Sequence, residues 1–517
     1  MNVTRILESF QGRVVQGEGN EKMMNFKTCI WLLAGVWLLL TACQPTTVNT
    51  TSQIELPAQY TFAGLADNGV EVDIAHWWRS WGDTCLNQLI EKALHNNIDI
   101  KVAQARVLEA RSFADLARAD LGPMVGVNAH FGGQAGEVDN NLGAEVNSLS
   151  TSVLGQDLSD SFSVNGIHYA YGIAASWEPD IFGKKQSDAD AARYAALGVE
   201  EIAWGTRIVV AANVADHYVQ ARSIARQMQL MDDTIKTVTE MQHYVAGRFG
   251  AGQTTRFELA DVETRLTALY AQRAPLQALH DLHVRQIAVL LGEPPQTFTL
   301  QESKSDVLAQ LPPAPRGVVP SDLLLRRPDI RARALALYAF SARLASSRAD
   351  LLPRFYISFL AEDGHIGLSD LPNVDGWMGL LDVGVHLPIF TSGRIQANIR
   401  ASEARLDEAA RQYDKSILKA LSEVDSTCQM RSALNARSTF LDKTISKSEE
   451  RTHAAKMLYT HGEKAFQDVL DAELATLQYR NRWVETRLNM AQATIRLYQA
   501  LGGGWPVHDQ PGQCQGK

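Results

Sequence analysis

The stretches 248–263, RFGAGQTTRFELADVE, and 458–473, LYTHGEKAFQDVLDAE, decide the fold because they are two copies of one passage. Gly252 aligns with Gly462, Asp261 with Asp471, Glu263 with Glu473 and Phe249 with Tyr459, always 210 positions apart. The same offset carries Leu291-Gly292 onto Leu501-Gly502 and Gly183-Lys184 onto Gly393-Arg394. Single matches of this kind arise from shared helical composition. Many matches at one offset mark an internal duplication, the feature that organises a fold before any local pattern.

Outward from each glycine, the pattern is helical. No proline occurs from Gln186 to Val245, where Ala189, Ala191, Ala192, Ala195 and Ala196 recur, and copy two repeats this from Ile395 to Leu458. Some sixty residues rising 1.5 Å each make a rod of about 90–100 Å, too long for a compact globular domain. Small residues let such rods pack side by side. After Gly252 and Gly462 a shorter helix returns, stopped by Gly292 before Pro294 and by Gly502-Gly503-Gly504 before Pro506. Pro275 is expected to kink or divide the first return helix.

Each copy opens with a helical stretch, Cys85–Leu121 or Ser321–Leu352, with Ser321 as the expected N-cap. A proline, Pro123 or Pro353, then precedes a β-hairpin. Val125, Val127, Ala129 and Phe131 alternate on one strand, and Tyr169, Tyr171, Ile173, Ala175 and Trp177 on the next. Copy two alternates Phe355, Ile357 and Phe359, then Trp377, Gly379, Leu381, Val383, Val385 and Leu387. Period-two runs of about ten residues with aromatics near their ends are the signature of membrane barrel strands. His168, Ser176, Asp382 and His386 fall on the opposite faces, suited to a wet lumen. Two ordinary half-buried hairpins are the plainer alternative.

The N-terminus weighs against that alternative. Lys27 precedes an apolar run, Trp31–Leu40, that ends in Leu40-Thr41-Ala42-Cys43. Basic, apolar and small residues in that order form a signal peptide, and the run is shorter than the ~20 residues a spanning helix needs. Leu-Thr-Ala-Cys resembles a bacterial lipobox, which implies lipidation of Cys43, and Gln44 after it favours the outer membrane. The domain reading is a signal peptide 1–42 (about the first 22 residues being an over-extended start), a lipidated linker 43–83 and a first repeat 84–300 with hairpin 123–178. An inter-repeat linker 301–320, a second repeat 321–505 with hairpin 353–388, and a tail 506–517 complete it.

Composition excludes more than it selects. Among 517 residues, 45% are hydrophobic and 21% charged, near the averages of a folded protein, and the net charge of −9 disfavours nucleic acid as main partner. The five cysteines, Cys29, Cys43, Cys85, Cys428 and Cys514, form no CxxC pair and are too sparse for a disulfide scaffold. No GxSxG, HExxH, Walker or dinucleotide pattern occurs, so the chain is read as no enzyme, with no cofactor and no metal. Of thirteen histidines, His280 and His283 stand three apart without a second ligand pair and are read as helix-surface residues.

Four strands cannot span a membrane alone, because their two outer edges would leave backbone groups unpaired in hydrocarbon at several kcal/mol each. Two chains would give eight strands and a filled interior, and three would give twelve and a passable lumen. Two copies of helix, hairpin, long helix and return helix resemble the TolC/OprM-type outer-membrane efflux proteins. The segments Trp177–Gly183, Pro388–Arg394 and Ala500–Trp505, with the lipobox, are similar to its lipoprotein branch. This resemblance, over residues from about 40 to 506, implies a mixed α and β fold. It also implies a homotrimer with a 12-stranded β-barrel continued by a periplasmic α-helical barrel. A periplasmic adaptor protein, an inner-membrane RND transporter and outer-membrane lipid are the implied partners. A duct of the same fold serving type I protein secretion is the competing function.

The resemblance also implies a periplasmic gate at the helix tips, placed here on Asp468 and Asp471. Three residues apart, they project from one side of the return helix. Two solvated surface aspartates are the bland alternative. Arg256, Glu258 and Lys464 are read as gate-pairing residues, Gly252 and Gly462 as tip turns, and Phe249, Ala251, Tyr459 and Thr460 as adaptor contacts or stabilisers of the turn.

Overall fold

The computed structural model describes residues 54–57, 60, 73–139, 161–301, 303, 306–313, 320, 324, 326–368 and 374–503, all within one compact unit. Cys43 with its leader, Ser321, Trp505 and Cys514 lie outside the described residues.

A 3-10 helix, Ile74–Trp81, leads into α1 (Thr84–Asn96) and α2 (Ile98–Ala119). The helical stretch expected to run unbroken from Cys85 is therefore two helices. Asn97 ends α1 and caps α2 through its side chain, which accepts from Ile100 N–H at 3.1 Å while its amide donates to Leu290 carbonyl at 2.8 Å. Strands β1 (Met124–Asp139) and β2 (Ser161–Trp177) follow, then α3 (Lys184–Gly250) and α4 (Arg256–Leu290). The second copy supplies α5 (Pro328–Ala349), β3 (Arg354–Leu368), β4 (Val374–His386), α6 (Arg394–Thr460) and α7 (Phe466–Ala500). Helix α5 starts at Pro328, whose fixed φ suits a first turn, with Arg327 as N-cap.

The duplication is kept to the residue. Helices α3 and α6 both have 67 residues, and α4 and α7 both have 35, each pair displaced by 210. Upstream of the hairpin loops the displacement is different: Ile98 corresponds to Pro328 and Met124 to Arg354, 230 apart. The first hairpin's connection, 140–160, is longer than the second's, 369–373, and this shifts the register between the copies. Pro275 does not divide α4, which runs continuously from Arg256 to Leu290. Its ring lies on an exposed helix face, where a lost N–H bond is answered by solvent.

The four strands form one antiparallel sheet in the order β1-β2-β3-β4. Val127 pairs with Ile173, Ile173 with Ala361 and Ala361 with Gly379, so the alternating residues of all four strands share one face. That face is bare: Val127 and Phe131 are each 81% exposed and Trp377 80%. His168, Ser176, Asp382 and His386 lie on the opposite face, as expected, beside Asn128, Ser358 and Glu362. The apolar face changes character toward the loop end. There Tyr171 donates to Asp363 at 2.7 Å, Tyr169 stacks on His365 at 5.4 Å, and His365 meets Asp375.

The helical core sits where α1 and the 3-10 helix pack on α3 and α7. Trp77, fully buried, stacks on Tyr498 with ring centroids 5.4 Å apart and planes at 12°. Asp83 joins these parts. One carboxylate oxygen accepts from Cys85 and Leu86 N–H at 2.8 and 3.1 Å, capping α1, and the other accepts from Tyr218 hydroxyl on α3 at 2.7 Å. Burial and the bond to Asp83 push the Tyr218 phenol well above its ordinary range. Arg327 makes the corresponding junction in the second copy. It clasps Asp329 through two bonds (2.9 and 2.7 Å) and donates to Glu423 at 2.8 Å and to Ala500 carbonyl at 3.1 Å. Burial works against the Asp329 carboxylate, but the Arg327 guanidinium outweighs it and holds the carboxyl below the usual range.

Asp83→Ala removes a cap and strands a buried hydroxyl, whereas Tyr218→Phe removes one bond and leaves the cap. The first is expected to cost about 2–4 kcal/mol and the second about 1 kcal/mol. Thermal unfolding in detergent checks the order, and equal losses would contradict it.

Candidate functional site at the helix tips

Both long helices end in the same backbone motif. Gln253 N–H bonds Arg248 carbonyl and Gly252 N–H bonds Phe249 carbonyl, each at 2.9 Å. At the second tip, Glu463 N–H bonds Leu458 carbonyl (2.9 Å) and Gly462 N–H bonds Tyr459 carbonyl (3.0 Å). This 6→1 with 5→2 pairing needs a left-handed residue, and Gly252 and Gly462 supply φ of 71° and 77°. Nothing crowds either glycine, so backbone conformation alone requires it.

The return helices start four residues later with different caps. In the first, Thr255 hydroxyl accepts from Glu258 N–H at 3.3 Å, and Thr254 hydroxyl donates to the Glu258 carboxylate. In the second, Ala465 offers no side-chain acceptor, and Asp468 reaches back to accept from Ala465 N–H at 3.2 Å. Asp468 thus stands in the first turn of α7, where the helix dipole favours a negative charge. Lys464 approaches it at 3.6 Å.

Asp471, one turn further along, is paired by a residue the sequence reading did not single out. Arg265 of α4 donates to Asp471 at 2.5 Å and, through Nε, to Asp261 at 3.1 Å. Burial works against the guanidinium charge, but the bonds to Asp471 and Asp261 outweigh it, so its pKa is raised. The Asp261–Arg265 spacing of four was a visible helix pair, but only the packing of α4 beside α7 brings Asp471 to it. Arg256 is exposed, and among the described residues no ion pair joins it to an acid within the chain.

The equivalent aromatics have diverged. Phe249 is 38% exposed, whereas Tyr459 is half-buried at the seam between the hairpins. Its hydroxyl accepts from Arg248 of the first hairpin at 2.9 Å, and its ring meets Tyr244 and Phe466 edge-on at 6.1 and 5.6 Å. Behind this seam, Ser448, Thr452 and Thr476 form a buried hydroxyl cluster between α6 and α7, with oxygens 2.7 and 3.0 Å apart.

Elsewhere, Cys85 and Cys428 are free thiols. His280 and His283 are half-buried, not open surface residues as expected. His283 lies against His217 of α3, a neighbour that spacing within one helix does not reveal. No helix among the described residues is long and apolar enough to cross a membrane.

Known proteins resemble this chain in sequence and in fold. The chain is 28% identical over 479 residues to the pyoverdine export outer membrane protein OpmQ of Pseudomonas aeruginosa, covering 92% of this chain and 96% of that one. It is 26% identical over 472 residues to the cation efflux system protein CusC of Escherichia coli, covering 91% and 97%. The solved CmeC outer membrane channel of Campylobacter jejuni superposes with a TM-score of 0.77 at 19% identity, over 90% of this chain and 96% of that one. The family model for outer membrane efflux proteins matches residues 89–293 and 319–503, both copies of the duplication, and the chain belongs to that family.

Proposed function

We propose that this protein is the outer-membrane duct of a tripartite efflux pump, closed into a homotrimer and conducting small molecules passively. The carrying observation is the four-stranded sheet whose apolar face is bare and whose end strands, β1 and β4, each have one partner within the chain. Hydrocarbon tolerates no unpaired strand edge, so β1 of one copy must meet β4 of another. Three copies give twelve strands and a lumen lined by the His168, Ser176, Asp382 and His386 face. Each 67-residue helix then continues the wall for about 100 Å.

A periplasmic adaptor and an inner-membrane RND transporter are the partners of this reading, and the exposed Phe249 is a contact for the adaptor. OpmQ and CusC carry export and efflux in their names, which supports small-molecule cargo over polypeptide secretion. Lipid on Cys43 tethers the chain to the outer membrane. Asp468 and Asp471 form the gate, held by Lys464 and Arg265 from within the chain. Paired with these cations the carboxylates tie the tips together, and without them they repel one another around a threefold mouth, so loss of either partner loosens it.

The purified protein in detergent is expected to have about three times the protomer mass, by light scattering, for the twelve-strand closure argued above. A stable monomer would remove the barrel and the gate together. Asp468→Ala with Asp471→Ala is expected to raise single-channel conductance in planar bilayers severalfold. Arg265→Ala, which frees Asp471, should move it in the same direction by less. Conductance unchanged in both would take these residues out of the gate. A deletion strain that keeps its tolerance of toxic small molecules but loses a secreted polypeptide would favour the secretion reading.

A further inference from the structure

His217 on α3 and His283 on α4 meet where the two helices of the first hairpin run past each other. Their Nδ1 atoms are 3.1 Å apart and their ring centroids 5.4 Å, with planes inclined at 38°. Both rings are half-buried, and neither the sheet nor the tips use them. A contact between two imidazole nitrogens needs one ring as donor and the other as acceptor, so at least one lone pair already points along the line between them.

Burial pushes both rings below the ordinary imidazole range. Asp216 pulls each back toward protonation, and the neighbouring His217 and His280 depress His283 further. A neutral imidazole is the form that binds metals. Two nitrogens bound to one tetrahedral zinc at 2.0–2.1 Å stand about 3.3 Å apart. The two side chains reach that separation with a relaxation of about 0.2 Å.

We propose that His217 and His283 form a two-histidine site for a divalent first-row transition metal of the zinc and copper class, bridging α3 and α4 through their Nδ1 atoms. Loading requires the donor ring to move its proton from Nδ1 to Nε2, so that both Nδ1 lone pairs face the ion. No proton leaves the pair. Imidazole donors select zinc, copper or nickel over magnesium and calcium, which prefer oxygen. Asp216 does not complete the set, because its two oxygens accept from Gln220 at 2.7 Å and Gln492 at 2.8 Å. His280 is likewise engaged, with Asp281 at 3.2 Å. Among the described residues no group of three histidine, cysteine or acidic side chains could hold a metal, so the proposed site draws on these two nitrogens.

The test is a calorimetric titration of zinc chloride into the full chain, metal-free, in detergent and without a histidine tag. Saturable binding of one zinc per chain is expected, weakened roughly tenfold or more by His217→Ala and by His283→Asn. His280→Ala and magnesium chloride are the controls and should change nothing and bind nothing. His283→Asn keeps a polar group at the position, so a variant eluting as wild type yet binding weakly supports the site even if His217→Ala fails to fold. Wild-type affinity in His283→Asn, loss in His280→Ala alone, or no saturable zinc in the wild type would each overturn it.

Discussion

A strand edge cannot face hydrocarbon, and that one prohibition gives meaning to the remainder of this molecule. The sheet runs β1-β2-β3-β4 and stops, with β1 and β4 each paired on one side only within the chain. Its outward face carries Val125, Val127, Phe131, Leu381 and Val383, all left bare by the chain itself. A surface this apolar belongs to a bilayer or to a partner, and an edge this long belongs to another strand. The protomer is therefore a fraction of a wall. As a member of the outer membrane efflux protein family, it provides the outer-membrane component of an efflux pump.

Strict duplication of the helices serves the same end. A cylinder needs staves of equal length, and α3 matches α6 and α4 matches α7 residue for residue. Four glycines at left-handed φ, Gly252, Gly292, Gly462 and Gly502, end these helices in the same hydrogen-bonded cap. At Gly502 a side chain is barred twice, since a Cβ would also stand 2.7 Å from Arg326 carbonyl. The sheet ends of the copies are held to a looser standard. Their hairpin loops differ in length, and the displacement of 230 upstream becomes 210 downstream.

Where the copies depart from each other, chemistry has been placed. Phe249 stays exposed while its counterpart Tyr459 turns into the seam to receive Arg248. Thr255 caps one return helix, whereas the other recruits Asp468, tying a charged side chain to the turn itself. Arg265 has Ala475 as its counterpart, so the bridge to Asp471 is made once per chain. Identical hairpins would offer identical side chains, and these differences give each tip its own contacts.

Much of this was legible in residue order because it rests on periodicity and on backbone conformation. Alternation of apolar residues set the strand faces, the absence of proline set the long helices, and glycine before proline set their ends. These are local constraints, readable without knowing any neighbour. The break at Asn97, the accommodation of Pro275, the polar loop end of the sheet at Asp363 and His365, and the pairing of Asp471 with Arg265 were not readable in this way. So too the meeting of His217 with His283, across 66 residues. Each depends on which face of one element another element presents to it, and that is decided only when helices and strands pack. Sequence alone determined the long helices, the faces of the strands and the repetition of the whole. Tertiary structure alone decided which charges meet, because an ion pair or a histidine pair is a property of distance in space and not of spacing along the chain.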